Sequence, residues 1–211
     1  GTLSAGDDIR IDAKLNEDID VKSLCTAGGI VGLGAAVTVI QDTSVVEAYL
    51  GDNTTIVTAD AVSVSAVGDQ TFDGLTGSVT GAAAAVGASF VDVSVGNDNA
   101  VETNAYIGDN VDIGQEDTVG SLSVKAESTI DAHAEAYGLS AGIGAFSVNF
   151  AFVDVTSEVK ASVGALSSIT VSGDVVIAST MTVKGLSKGI GVAAGGLAVG
   201  AMIADVSLGR G

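Results

Sequence analysis

Proline and tryptophan are absent from this 211-residue chain, and cysteine occurs once. A proline within a central strand removes a ladder hydrogen bond, so its absence is typical of a chain that is mostly paired β-strand. With one cysteine, Cys25, no disulfide can form within the chain. We interpret Cys25 as a small buried hydrophobic side chain, not as a reactive thiol, because it lies in the apolar run Leu24–Ala27.

Large side chains are also scarce. Aromatic residues make up 4% of the sequence although hydrophobic residues make up 47%, and there are 29 glycines. Small side chains such as those of Ala and Val cannot fill the middle of a wide globule at normal packing density. The composition therefore predicts a thin, closely packed core.

Positive charge is the third shortage. The chain has 8 basic and 26 acidic residues, for a formal net charge of −18. Binding to nucleic acid or to an anionic membrane surface requires clustered Lys and Arg, so we expect neither partner. The apolar run at 190–204 is shorter than the roughly 20 residues that span a bilayer, which predicts no transmembrane span.

One segment recurs along the chain, and two landmarks locate its copies. The first is the start of an alternating strand, found at Ile9, Val62, Leu122 and Val175, which lie 53, 60 and 53 residues apart. The second is an alanine near the end of each copy, found at Ala48, Ala105 and Ala161, which lie 57 and 56 residues apart. Two markers with nearly the same period indicate a repeat architecture.

Within each copy the hydrophobic period is 2. From Val124 onward, apolar or small residues alternate with polar ones, which predicts a strand with one solvated face. Phe146, Val148, Phe150 and Phe152 share a second face, after which the apolar phase shifts, and the shift predicts a bulge or corner near Phe152 and Val153. Glycine clusters at 28–29 and 142–144 predict tight corners, and Gly-Asp-Asn at 51–53 and 108–110 predicts turns.

These patterns predict an all-β fold, a parallel β-solenoid of about four imperfect repeats of 53–60 residues. The repeats lie at approximately 9–61, 62–121, 122–174 and 175–211 of a single solenoid segment, 1–211. Coils of parallel β-helices usually need about 18 to 25 residues, which favours two or three coils per repeat. One large flattened coil per repeat is the alternative, and the separation of Ala48 from Ala105 distinguishes the two.

The stretches GLGAAVTVIQDTSVVEAYLGD and GIGAFSVNFAFVDVTSEVKASVG resemble repeats of very large bacterial surface exoproteins. These are filamentous-haemagglutinin-like and leukotoxin-type filamentous adhesins, and the resemblance covers essentially the whole chain. It implies a secreted, rod-like β-solenoid stalk at the cell surface and supplies no catalytic residues. No signal peptide is visible at the first residues, and we expect the chain to be a fragment of a longer protein.

Acidic turns offer the main candidates for metal binding. Clustered oxygens at Asp52, Asp98, Asp109 and Asp112 could ligate calcium, although no EF-hand or nonapeptide spacing is present. Ordinary solvated turns are the favoured interpretation and calcium is the alternative. We therefore expect no cofactor other than calcium.

Asp131, His133 and Glu135 lie on one strand face, where His and carboxylate suit zinc. Residues i and i+4 of a strand are about 13 Å apart, so all three cannot reach one ion, and a solvated polar face is favoured. Tyr49 and Tyr106 occupy equivalent repeat positions and are predicted to be stacked structural residues. No catalytic pattern is recognisable, so we expect no enzyme activity.

The predicted function is a structural or adhesive extracellular scaffold, stalk or filament segment of a bacterial surface protein. Its expected partners are adjacent solenoid segments or copies joined end to end, and a host or neighbouring cell surface. An ice- or polymer-binding module is the alternative, and it would need a sustained Thr-x-Thr ladder. A β-helix enzyme acting on polysaccharide is disfavoured because aromatic and basic groups are scarce.

Overall fold

The chain is composed of β-strands. A computed structural model describes residues 1–96, 99–114 and 119–210, and every regular element among them is a strand. No helix that could cross a bilayer is found in this part of the chain. The all-β prediction is confirmed. The strands are β1 (Thr2–Leu3), β2 (Ile9–Asp42), β3 (Val45–Leu50), β4 (Thr55–Ile56), β5 (Ala59–Val95), β6 (Val101–Ile107), β7 (Asp112–Ile113), β8 (Val119–Val163), β9 (Ser168–Ile169) and β10 (Val175–Arg210).

The four long strands β2, β5, β8 and β10 are parallel neighbours in one sheet. Their register pairs Ile9 with Val62, Val62 with Leu122, and Leu122 with Val175, which are the same landmarks that define the repeat. Each copy of the sequence therefore lies directly beside the next. This arrangement is a parallel β-solenoid.

Each repeat makes one coil. Ala48 is the register partner of Ala105, and Ala105 is the register partner of Ala161, so only one strand spacing separates successive repeats. The short strands β1, β4, β7 and β9 form a second parallel sheet in the same order. The expectation of two or three coils per repeat is wrong, because each long strand extends for about 20 residues before the chain reverses.

A coil is flattened and has three legs, which we name by the second coil. Its first leg is 59–80, its second leg is 84–95 and its third leg is β6. The chain reverses between the first two legs. In the third coil, for example, the Ser140 hydroxyl donates to the Phe146 carbonyl, six residues later, at 2.8 Å. In the first coil Gly29 has φ of +128°, a conformation that side chains disfavour, and it lies at the equivalent corner.

The wide part of each coil holds a hydrophobic core. Val62 and Val64 of the first leg are fully buried and pack with Val46 and Ala48 of the third leg. A second cluster, around Phe72 and other buried residues, lies between the first and second legs. Each clustered apolar side chain is sandwiched within a coil and also stacked on its counterparts in neighbouring coils, as in repeat proteins generally.

The strand β8 runs through Phe152 and Val153 without a bulge in its pairing. Burial alternates without a break from Ala145 to Val155, with odd-numbered residues facing inward. The shift of apolar phase in the sequence has another cause. Outward positions are apolar up to Phe152, whereas Asp154 begins the polar part of that face.

Candidate functional site

The narrow end of each coil is the most unusual surface of the molecule. We call it the wedge and define it as residues 24–37, 77–90, 137–150 and 190–203, which are in register across the four coils. Here the chain reverses sharply, so the first and second legs lie close together. In the central coils, polar side chains point inward and apolar side chains point outward, the reverse of the usual arrangement.

Hydroxyl and amide groups line the inside of the wedge. Thr80 donates to the Ser140 hydroxyl of the next coil at 2.8 Å. Ser89 donates to the Tyr137 carbonyl at 2.6 Å, and Asn149 donates to the Ser147 hydroxyl at 3.1 Å. These groups bond to one another and to backbone carbonyls, which offsets the cost of burying them.

Glycine allows the two legs to approach closely. A Cβ placed on Gly87 would lie 2.8 Å from the Ser140 hydroxyl oxygen and 3.1 Å from that of Ser78. A Cβ on Gly138 would collide with the side chains of Ser147 and Asn149. Only small inward residues fit this gap, so the large apolar side chains of these strands are left on the outside.

The outer surface of the second legs is apolar over four rows, and we call it the second-leg face. Its central row pairs Val37 with Phe90, Phe90 with Phe150, and Phe150 with Ile203. The ring of Phe152, one row further on, stacks near Phe150 with centroids 6.3 Å apart. No polar or charged side chain occurs among the sixteen positions of the four rows. The rows are Val31, Ala84, Gly144, Leu197; Leu33, Val86, Phe146, Val199; Ala35, Ala88, Val148, Ala201; and Val37, Phe90, Phe150, Ile203.

A smaller apolar groove lies on the opposite side of the wedge, outside the first legs. It has a volume of about 440 Å³ and is lined by residues of all four coils, including Leu24, Tyr137 and Ile190. It forms where Gly77 lacks a side chain, and Leu24 leans over this gap because a Cβ there would lie 2.7 Å from Leu24 Cδ2. Cys25 lies beside the groove and is partly buried, facing Gly34 across the wedge interior.

His133 makes contacts that the sequence pattern did not reveal. Its Nδ1 lies 2.8 Å from Asp73 Oδ1 of the neighbouring coil, and its Nε2 lies 2.8 Å from Asp131 Oδ1. Asp73 precedes His133 by 60 residues, so the repeat offset could have identified this partner. Because both ring nitrogens contact carboxylates, neither is left for a metal ion.

Glu135, the third member of the predicted group, has other partners. It accepts a hydrogen bond of 2.5 Å from the Tyr137 hydroxyl, and Lys188 Nζ lies 3.9 Å away. Lys188 also donates to the Tyr137 oxygen, and this bond is the main cause that raises the pKa of the amine. Lys22 is a similar case, since its bond to Asp20 raises its pKa. The outer face of the first legs is thus a solvated row of ion pairs, as the favoured interpretation predicts.

The candidate calcium residues Asp52 and Asp109 act as structural acceptors at stacked turns. Asp52 Oδ1 accepts from the Asp109 backbone N–H at 2.8 Å, and Asp109 Oδ1 accepts from the Ala165 N–H at 2.7 Å. Asp112 lies in β7, with its backbone N–H bonded to the Thr54 carbonyl. Asp98 lies outside the described residues. Within the described ranges, no three His, Cys, Asp or Glu side chains form a group that could hold a metal.

Tyr49 and Tyr106 are stacked, as predicted. Their ring centroids are 5.1 Å apart and the ring planes differ by 7°. Partial desolvation, followed by the nearby charge of Glu47, raises the pKa of Tyr106 above its ordinary value. Two parallel rings on adjacent coils extend the backbone ladder with side-chain contacts.

The alternative of an ice-binding face receives no Thr ladder from the described outer surfaces of the first legs. Thr129 and Thr182 are register partners, but the same row continues with Asp69 and Asn16. The row is therefore mixed rather than repetitive.

No family model, curated protein or solved structure matches the chain. The functional interpretation rests on the geometry and the residues described above.

Proposed function

We propose that the chain is a structural and adhesive β-solenoid segment of a secreted bacterial surface protein, and that it is not an enzyme. The observation that carries the proposal is the unbroken in-register stacking of the long strands of four coils. Stacking of this kind adds coils without changing the cross-section, which is what a scaffold, stalk or filament requires. The resemblance to filamentous adhesins supports a location at the cell surface.

The shape of the coil indicates which kind of scaffold it supports. Each repeat of 53–60 residues adds only one strand spacing, about 4.8 Å, to the length of the stack. The first leg of the second coil has 22 residues and is about 70 Å long at a rise near 3.3 Å per residue. The segment invests its residues in broad flat faces more than in reach, so it suits lateral contact.

Self-association at the ends of the stack is the simplest partnership that the fold supports. Among the described strands, β2 pairs only with β5 in its long first and second legs, and β10 pairs only with β8. Each therefore presents backbone donors and acceptors along one edge, which an adjacent solenoid segment or a second copy could pair with. A host or neighbouring cell surface is the further partner that we propose for an adhesive segment.

Removal of one coil tests the scaffold. Deletion of 62–121 joins Ala61 to Leu122 in phase, because the first legs at Val62 and Leu122 are register partners. We expect the shortened chain to fold with an unchanged width and a stack about 4.8 Å thinner, measured by small-angle X-ray scattering.

The matched control is deletion of 62–91, which joins the start of one first leg to the middle of a second leg. We expect this variant to lose cooperative unfolding, because its inward and outward faces no longer continue. Equal tolerance of both deletions, or loss of folding in both, would show that coils are not interchangeable units, and the scaffold proposal would be wrong.

A further inference from the structure

We propose that the second-leg face is a pairing surface for a second copy of this chain, with the two solenoids lying side by side. This inference rests on the proposed scaffold function and names the partner of its broad face. It differs from end-to-end association, because the contact is made by side chains of a flat sheet face and not by backbone edges.

The apolar face cannot be removed by a simple shift of the strands. A slip of one residue would move Val86 and Phe146 inward, and would bring Ser and Asn side chains to the surface. The narrow wedge has no room for those large side chains, since a Cβ on Gly87 already approaches the Ser140 oxygen within 2.8 Å. The polar lining and the apolar outer face are therefore fixed together.

The size of the face matches that of a specific interface. The second leg extends over nine outward-and-inward residues from 31 to 39, which is about 30 Å, and four coils measure about 19 Å across. Two such faces would cover about 1,100 Å² when pressed together, just above the area of roughly 1,000 Å² at which interfaces become specific. Each added coil would enlarge the contact in proportion.

The relief of the face suits a flat partner of the same kind. Two rows carry large side chains, for example at Val86 and Phe146, and at Phe90 and Phe150. Between them lies the row that holds Ala88 and Val148, which is lower. The large row of one copy can pack into the low row of another, and sheets packed in this way lie about 10 Å apart.

Charge favours an antiparallel pairing. Asp92 and Asp205 lie outward in the first row beyond the apolar four, at the wide end of the face. When two copies pair by a two-fold axis, the wide end of one lies against the corner of the other, so that these carboxylates are kept apart. The net charge of −18 on each copy still opposes contact, so the pairing should tighten as salt concentration rises.

A lipid bilayer is the less favoured occupant of the same face. The outer edges of β2 and β10 carry backbone polar groups that would have no partners in hydrocarbon, and open sheet edges are not tolerated there. A second copy leaves those edges in water.

Sedimentation velocity of the purified chain, with matched variants, tests the pairing. Val86→Glu places a charge on the second-leg face, and Leu139→Glu places one on the outer face of the first leg. The two residues are equally exposed, at 41% and 43%, and both belong to the wedge. We expect a reversible dimer whose dissociation constant rises by tenfold or more in Val86→Glu and changes less than about twofold in Leu139→Glu, as for charges inside and outside an interface.

Circular dichroism and thermal unfolding of both variants confirm that each is folded, and flotation with phosphatidylcholine vesicles reports lipid binding. A chain that stays monomeric at all concentrations, equal weakening by both variants, or flotation that Val86→Glu abolishes would overturn the pairing. Scattering separates this result from the scaffold itself: the stack height of Val86→Glu monomers reports the scaffold, whereas the doubled cross-section of the parent chain reports the pairing.

Discussion

Asn110 donates a side-chain hydrogen bond of 2.8 Å to Oδ1 of Asn53, its counterpart one coil earlier. Both residues adopt positive φ, at 55° and 54°, a region that asparagine tolerates better than most residues. The turns of adjacent coils are thus joined by an amide ladder as well as by backbone pairing. This relationship explains why Gly-Asp-Asn recurs at equivalent places in the repeat.

Replacement of Asn110 separates the two contributions of that residue. Asn110→Gly keeps the positive φ but removes the amide, whereas Asn110→Ala removes both. We expect Asn110→Ala to lower the free energy of unfolding by about 1–2 kcal/mol and Asn110→Gly by clearly less, since left-handed backbone costs a residue with a Cβ about 1 kcal/mol. Urea unfolding followed by circular dichroism measures the difference. Equal losses in the two variants would mean that the conformational argument is wrong.

The close approach of the two legs in the wedge makes a second prediction. Gly138→Ala should lower the free energy of unfolding by about 1–3 kcal/mol, because the new methyl group meets the inward side chains of Ser147 and Asn149. The matched control is Gly144→Ala in the same strand, where a Cβ would meet nothing within 4 Å. That variant should change the free energy by no more than about 1 kcal/mol, and a gain is the expected sign. Similar losses in both variants would contradict the packing described for the wedge.

The titration of Tyr106 gives a third prediction. Partial desolvation, then the charge of Glu47, raises the pKa of this phenol in the folded chain above the ordinary 10.0. The folded state therefore holds the proton more tightly than the unfolded state. The associated stability is fully present below the unfolded pKa, and is lost as the pH rises through the folded pKa.

Ultraviolet absorbance of tyrosinate checks this order. The difference between the titration curves of the parent chain and Tyr106→Phe isolates Tyr106, and its midpoint should lie above 10.0. Unfolding the parent chain in urea should move that midpoint down. A midpoint at or below the ordinary value in the folded chain would show that the ring is better solvated than the stacked geometry indicates.

The repeat offsets contained most of the fold. The positions Ile9, Val62, Leu122 and Val175 predicted a shared register, and the strands pair at those residues. The same arithmetic would have placed Asp73 beside His133. The number of coils per repeat was not predictable in this way, because a period shows only that copies recur and not how often the chain turns within one copy.

The orientation of the wedge was beyond the reach of sequence patterning. Alternation divides Phe146 and Phe150 from Ser147 and Asn149 correctly, but the usual rule would place the phenylalanines inside. The tertiary contact decides otherwise: the two legs meet so closely at Gly138 that only small or compact polar groups fit between them. That distance depends on the corner at 142–144, whose sharpness no local pattern specifies.

The last prediction concerns Asp109 and calcium. Because Asp109 Oδ1 accepts the Ala165 backbone N–H, we expect the carboxylate to act as a turn acceptor, and calcium to leave the melting temperature unchanged. Asp109→Asn keeps an acceptor oxygen and should be nearly as stable as the parent chain, whereas Asp109→Ala should lose about 0.5–1.5 kcal/mol. Thermal unfolding with calcium and then with a chelator distinguishes the roles. If calcium raises the melting temperature of the parent chain and of neither variant, Asp109 is a ligand, since an amide oxygen replaces the charge of a carboxylate poorly.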